Sequence, residues 1–102
     1  MTFRGKPSPG RAKLAFFKLE NIVIELIQPI DGPSTWQSFL DEHSEGIHHI
    51  AFITGNINES AKNISETGAI EEQKGFFKGG GYVYLDARKS LGAILELLYY
   101  KQ

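Results

Sequence analysis

A chain of 102 residues, 41% of them hydrophobic, can build one small core but buries a smaller share of its surface than a larger domain does. Its formal net charge of −1, with basic residues clustered only at Arg4, Lys6, Arg11 and Lys13, excludes the strongly basic surface that nucleic acid or an anionic membrane requires. It has no cysteine, which excludes disulfides and thiolate ligands, and it has neither a bilayer-length apolar stretch nor a signal-peptide core, so a cytoplasmic protein is expected by default.

Residues 1–12, which include Gly5, Pro7, Pro9 and Gly10, read as a mobile amino-terminal arm. Lys13 to Lys18 and Ile22 to Gln28 are rich in β-formers, and Leu19-Glu20-Asn21 between them predicts a hairpin that ends at Pro29, Gly32 and Pro33. Ser34, with Gln37 three positions on, forms a capping-box pattern for a short helix that carries Trp36, Phe39 and Leu40 on one face and ends near His43. Ile47 to Ile53 is the next predicted strand. Asn56 and Glu59 repeat the capping pattern for a helix from Ile57 to Thr67, with Ile57, Ala61 and Ile64 as its buried stripe and Gly68 as its stop.

Ala69 to Gln73 reads as a weak strand. Gly79-Gly80-Gly81 reads as a loop, since the helix start and Lys-Ser/Thr of a phosphate cradle do not follow it. Tyr82 to Asp86 and Ala93 to Tyr99 complete the order β-β-α-β-α-β-β-β, an α+β pattern.

Val23-Ile24-Glu25-Leu26-Ile27 and Ile94-Leu95-Glu96-Leu97-Leu98 each set one carboxylate inside an apolar strand. Burying an unpaired carboxylate costs several kcal/mol, roughly, so both predict a cationic partner. Each string follows an aromatic strand, and two copies of one strand pair imply a pseudo-twofold sheet with both acids in one concavity. Alternation places Glu25 with Val23 and Ile27, Glu96 with Ile94 and Leu98, and His49 with Ala51 and Ile53, while His48 is expected to face the other way with Ile50 and Phe52. His43 and His48 then read as structural or surface residues. Trp36, Phe16 and Phe17 read as core, subunit contacts or a substrate wall, and Arg88 and Lys89 as solvent-facing or as contacts for an anionic substrate tail.

The segments Leu14-Ala15-Phe16-Phe17, Ile24-Glu25-Leu26, Phe39-Leu40, Glu45 to Phe52 and Leu91 to Leu97, in this order, resemble the vicinal oxygen chelate superfamily of glyoxalases, bleomycin-resistance proteins and dioxygenases. Among its branches the likeness is greatest to methylmalonyl-CoA epimerase and lactoylglutathione lyase. The resemblance implies paired βαβββ modules around one divalent metal, with Glu25, His49 and Glu96 as ligands. It divides the chain into the end of module one (13–30), a linker helix (31–46) and module two (47–102). Module one is expected to be incomplete, because the family's opening strand, which normally supplies a histidine as fourth ligand, has no counterpart before Lys13. The chain is then expected to be a fragment, an incomplete gene product, or a subunit completed by another molecule. Lys13 stands where some epimerases carry a carboxylate, and Asp86-Ala87-Arg88-Lys89 where epimerases often have His-Pro-Lys.

Oxygen and imidazole ligands suit Ni, Co, Mn, Zn or Fe. Such an ion stabilises the enolate or enediolate formed when a C–H proton beside a carbonyl leaves, which permits isomerisation or epimerisation of a small 2-oxo or acyl-thioester substrate. Glu96 or Glu25 is the expected catalytic base. The alternative is a metal-free, ligand-sequestering protein of the bleomycin-resistance type. A homodimer is expected in either case, because unpaired sheet edges and apolar surface need cover.

Overall fold

Runs of β-forming residues in the first third of the chain form a ribbon. In the computed structural model, which describes residues 1–101, two short strands, β1 (Thr2–Phe3) and β2 (Lys6–Pro7), precede a long hairpin of β3 (Arg11–Lys18) and β4 (Val23–Asp31). The hairpin pairs Lys18 with Val23, Phe16 with Glu25 and Leu14 with Ile27, with an irregularity at Arg11/Ala12, and forms a two-stranded sheet of its own. Leu19 N–H donates to the Ile22 carbonyl across the expected turn at 2.9 Å.

Residues 1–12, expected to be an arm, carry two short strands that are tied into a sheet. β1 pairs antiparallel with β2 and with β6 (Ile70–Phe77), in the register Thr2 to Lys74 and Phe3 to Gln73. The turn between β1 and β2 places Arg4 and Gly5 at φ 52° and 80°, the left-handed pair that tight hairpins use. Arg4 N–H donates to the Glu72 carbonyl at 2.8 Å, and the Arg4 guanidinium donates to the buried Glu72 carboxylate at 2.9 Å and to Ser38 Oγ at 3.0 Å. These long-range partners order a segment whose own composition favours turns.

After Gly32 and Pro33, α1 spans Thr35–His43. Ser34 Oγ accepts from Gln37 N–H at 3.1 Å as the capping pattern predicts, while the Gln37 side chain reaches forward to Asp41 at 2.8 Å. β5 (His49–Ile53), α2 (Ile57–Ser65), β6, β7 (Gly80–Ala87), a single-turn α3 (Arg88–Leu91) and β8 (Ala93–Tyr100) follow. Asn56 caps α2 by accepting from Glu59 N–H at 3.1 Å.

The second sheet runs β2-β1-β6-β7-β8-β5, with β5 parallel to β8 and its other pairs antiparallel. This is the α+β, βαβββ arrangement expected for the second half of the chain. The glycine run opens β7 instead of forming a loop, and only Gly79, at φ 94°, sits in the turn. A side chain at Gly81 would collide with the Tyr99 ring, 2.6 Å from an ideal Cβ, so the missing side chain lets that ring cross the strand.

One face of β7 and β8 supplies Val83, Leu85, Ala87 and Leu97 to a core that α2 closes with Ile57, Ala61 and Ile64. The opposite face carries Tyr82, Tyr84 and Glu96. The β3–β4 ribbon has no such cover. Phe16, Phe17, Ile24 and Leu26 are about half exposed on its two faces.

Candidate metal centre

Glu96 sits mid-strand in β8, flanked by Tyr84 on β7 and Ala51 on β5 in the register. Strand alternation turns its neighbours Leu95 and Leu97 toward α2, so its carboxylate points to the open face, where it is only 7% exposed. His49 opens β5 on the same face. Glu25 reaches the pair from the separate ribbon.

His49 Nε2 lies 3.1 Å from a Glu96 carboxylate oxygen and 3.4 Å from one of Glu25. One donor atom from each of the three side chains falls within 4.8 Å of the others. Donors bonded to one ion at about 2.1 Å lie about 3.0–3.4 Å apart in octahedral or tetrahedral arrangements, so the two spacings from His49 Nε2 to the carboxylates fit adjacent ligands of one divalent ion. The donor set is oxygen and nitrogen without sulfur. Three acidic or imidazole groups converging on one point, two of them on carboxylates that would otherwise repel, is an arrangement that a cation relieves.

Burial pushes the Glu25 carboxyl above its ordinary range; His49 opposes this and the neighbouring Glu96 carboxylate adds to it. The Tyr84 ring packs edge-on against His49 and His48, with centroids 5.1 and 5.2 Å apart, and its hydroxyl accepts from Trp36 Nε1 at 3.2 Å. Burial, followed by the Glu96 carboxylate, raises the Tyr84 phenol well above its usual value and keeps it neutral. Tyr84 thus forms a neutral wall behind the imidazole. Its placement was visible in the alternation of Tyr82 and Tyr84, but its role as a wall depends on α1 bringing Trp36 over it.

His48 does not face away from the cluster. β5 begins at His49, so the alternation that separates neighbours within a strand does not extend back to His48. Its ring instead packs on Phe39 and Tyr84, with Nδ1 3.0 Å from Nδ1 of His49 and Nε2 3.1 Å from Thr35 Oγ1. Burial, aided by His49 and Arg88, lowers its pKa to about 4, so it is neutral near pH 7. Arg88 lies at the rim, holding Asp86 at 2.8 Å and donating to His43 Nε2 at 2.8 Å. It is engaged within the protein, and Asp86, pinned by it, is held below the usual carboxylate range.

Residues 2–84 match the profile of the Glyoxalase/Bleomycin resistance protein/Dioxygenase superfamily. The chain belongs to this superfamily. Its fold is similar to that of the hypothetical protein BH1468 from Bacillus halodurans C-125, with 28% identity, a TM-score of 0.69, and coverage of 89% of this chain and 68% of that one. Among curated proteins, the uncharacterized protein YqjC of Bacillus subtilis (strain 168) is 32% identical over 56 residues, which are 55% of this chain and 40% of YqjC. The chain therefore matches less than half the length of that relative. The superfamily match begins at residue 2 and so includes the amino-terminal hairpin that the composition alone did not reveal. Among the described residues no helix is long and apolar enough to cross a membrane.

Proposed function

We propose that this chain is a divalent-metal-dependent isomerase or lyase of the glyoxalase I or methylmalonyl-CoA epimerase type, acting on a small 2-oxo or acyl-thioester compound. The observation that carries this reading is the convergence of Glu25, His49 and Glu96 from three strands of two sheets. These three side chains would hold the ion. When bound, it would supply Lewis-acid stabilisation of the negative charge that develops on a substrate oxygen. In this reading Glu96, mid-strand in the covered sheet, would stay on the ion, while Glu25, on a ribbon and the more open of the two, would take or return the proton beside the carbonyl. Tyr84 and Trp36 exclude water behind His49.

The exposed apolar faces of the β3–β4 ribbon support a second element of the proposal, a homodimer in which a second copy covers Phe17, Ile24 and Leu26. The same half-exposed aromatic residues favour the alternative reading, a metal-free protein that sequesters a ligand as bleomycin-resistance proteins do. Solvent-deuterium incorporation at the carbon next to the carbonyl separates the two. Loaded with Ni²⁺, Co²⁺, Mn²⁺, Zn²⁺ or Fe²⁺, the protein is expected to exchange that hydrogen in a panel of 2-oxo hemithioacetals and 2-branched acyl thioesters, and Glu25→Gln is expected to abolish exchange. Tight binding of an aromatic ligand with no exchange under any loading would favour sequestration.

A further inference from the structure

The His48 ring is the only polar group that meets the rear nitrogen of His49 among the described hydrogen bonds. His49 Nε2 faces both carboxylates, so it can act as a ligand only with its lone pair on Nε2 and its proton on Nδ1. That proton needs an acceptor, because a buried N–H left unpaired costs about 1–3 kcal/mol. His48 Nδ1, 3.0 Å away, is within reach, and accepting there places the His48 proton on Nε2, where Thr35 Oγ1 lies 3.1 Å away to receive it.

Thr35 in turn is fixed. It is 1% exposed at the first position of α1, and its backbone N–H donates to Oε1 of the fully buried Gln73 at 2.8 Å. Gln73 Nε2 donates to the Tyr82 hydroxyl at 3.2 Å. The chain of hydrogen bonds therefore runs from the rear of His49 through His48 to the start of α1, and from there to β6 and β7.

Resting on the metal-centre reading above, we propose that His48, held by Thr35, is a positioning residue that fixes the ring angle and the Nδ1–H tautomer of His49, so that Nε2 is presented to a divalent ion between Glu25 and Glu96. The sequence places the two histidines side by side, yet only one touches the carboxylates. The other orients it, and the helix start that follows the ribbon anchors the orienting residue.

The test uses the zinc-loaded protein. Long-range imidazole nitrogen-proton correlations are expected to show His49 protonated on Nδ1 and His48 on Nε2. His48→Leu, which removes the acceptor, is expected to weaken zinc binding by about 10–100-fold, whereas His48→Asn, which keeps an acceptor near the Nδ1 position, is expected to stay within a few-fold of the parent. Thr35→Val is expected to weaken binding by less than His48→Leu. A His48 proton found on Nδ1, or equal zinc affinity of His48→Leu and the parent, would overturn the proposal while leaving the metal centre standing. Failure of the parent protein to bind any of Zn²⁺, Ni²⁺, Co²⁺ or Mn²⁺ would overturn the metal-centre reading itself, and the positioning role with it.

Discussion

Glu25 and Glu96 occupy almost the same local sequence, one carboxylate among four aliphatic residues, yet the two strands that carry them are held very differently. β8 lies between β7 and β5, and α2 closes a core over its far side, whereas among the described residues β4 pairs only with β3, and the face of that ribbon carrying Phe17, Ile24 and Leu26 is left half exposed. The contrast shows that an apolar-flanked carboxylate identifies a convergence point without fixing how rigidly each arm approaches it. Two of the three candidate ligands, His49 and Glu96, belong to a packed module. The third, Glu25, is delivered by a hairpin of a kind that is marginally stable in isolation.

If this contrast is right, core and ribbon substitutions separate cleanly. Leu85→Ala, which truncates a side chain 1% exposed under α2, is expected to cost about 2–5 kcal/mol in urea unfolding. Arg4→Ala is expected to cost about 1–3 kcal/mol, because it leaves the Glu72 carboxylate buried without its partner, and proteolysis should then attack residues 1–12 first. If both substitutions left the unfolding midpoint unchanged, the packed module would not be the stable half.

A smaller effect is expected at the ordered rim. Hydrogen bonds from Arg88 hold the Asp86 carboxyl below its ordinary value of 3.8. A depressed folded-state pKa stabilises the fold above the unfolded value and ceases to do so as the pH falls through the folded one. The stability advantage of the parent over Asp86→Asn should therefore be full above about pH 5 and shrink progressively below about pH 4, followed by thermal unfolding across that range. The smallest effect on chain stability is expected in the ribbon. Phe17→Ser should change it by within about 0.5 kcal/mol, while raising the concentration at which the proposed dimer dissociates in sedimentation experiments.

The elements that local physics dictates were legible in the sequence. Ser34 and Asn56 cap helices where their spacing to Gln37 and Glu59 predicts, and Leu19 to Ile22 turns the ribbon. What the sequence did not reveal depends on partners far along the chain. The β1–β2 hairpin is ordered by Glu72 and Gln73 on β6, so its glycines and prolines alone suggested an arm. The Gly79–Gly81 run looked like a loop because the reason for a glycine in β7 is the Tyr99 ring on β8. Alternation correctly grouped Glu25, His49 and Glu96 but was carried one residue too far at His48, which lies outside β5. The orienting contacts among His48, Thr35 and Gln73 span three elements, and no periodicity within one of them encodes that meeting.

The most direct test of the metal centre is elemental analysis by inductively coupled plasma mass spectrometry on the purified protein beside His49→Ala, Glu96→Ala and Glu25→Ala. About one divalent ion per chain, or per dimer, in the parent and its loss in all three variants is the predicted result. An ion content that the substitutions leave unchanged, or no ion after loading with Ni²⁺, Co²⁺, Mn²⁺ and Zn²⁺, would contradict it and make the cluster an imidazole held between two carboxylates.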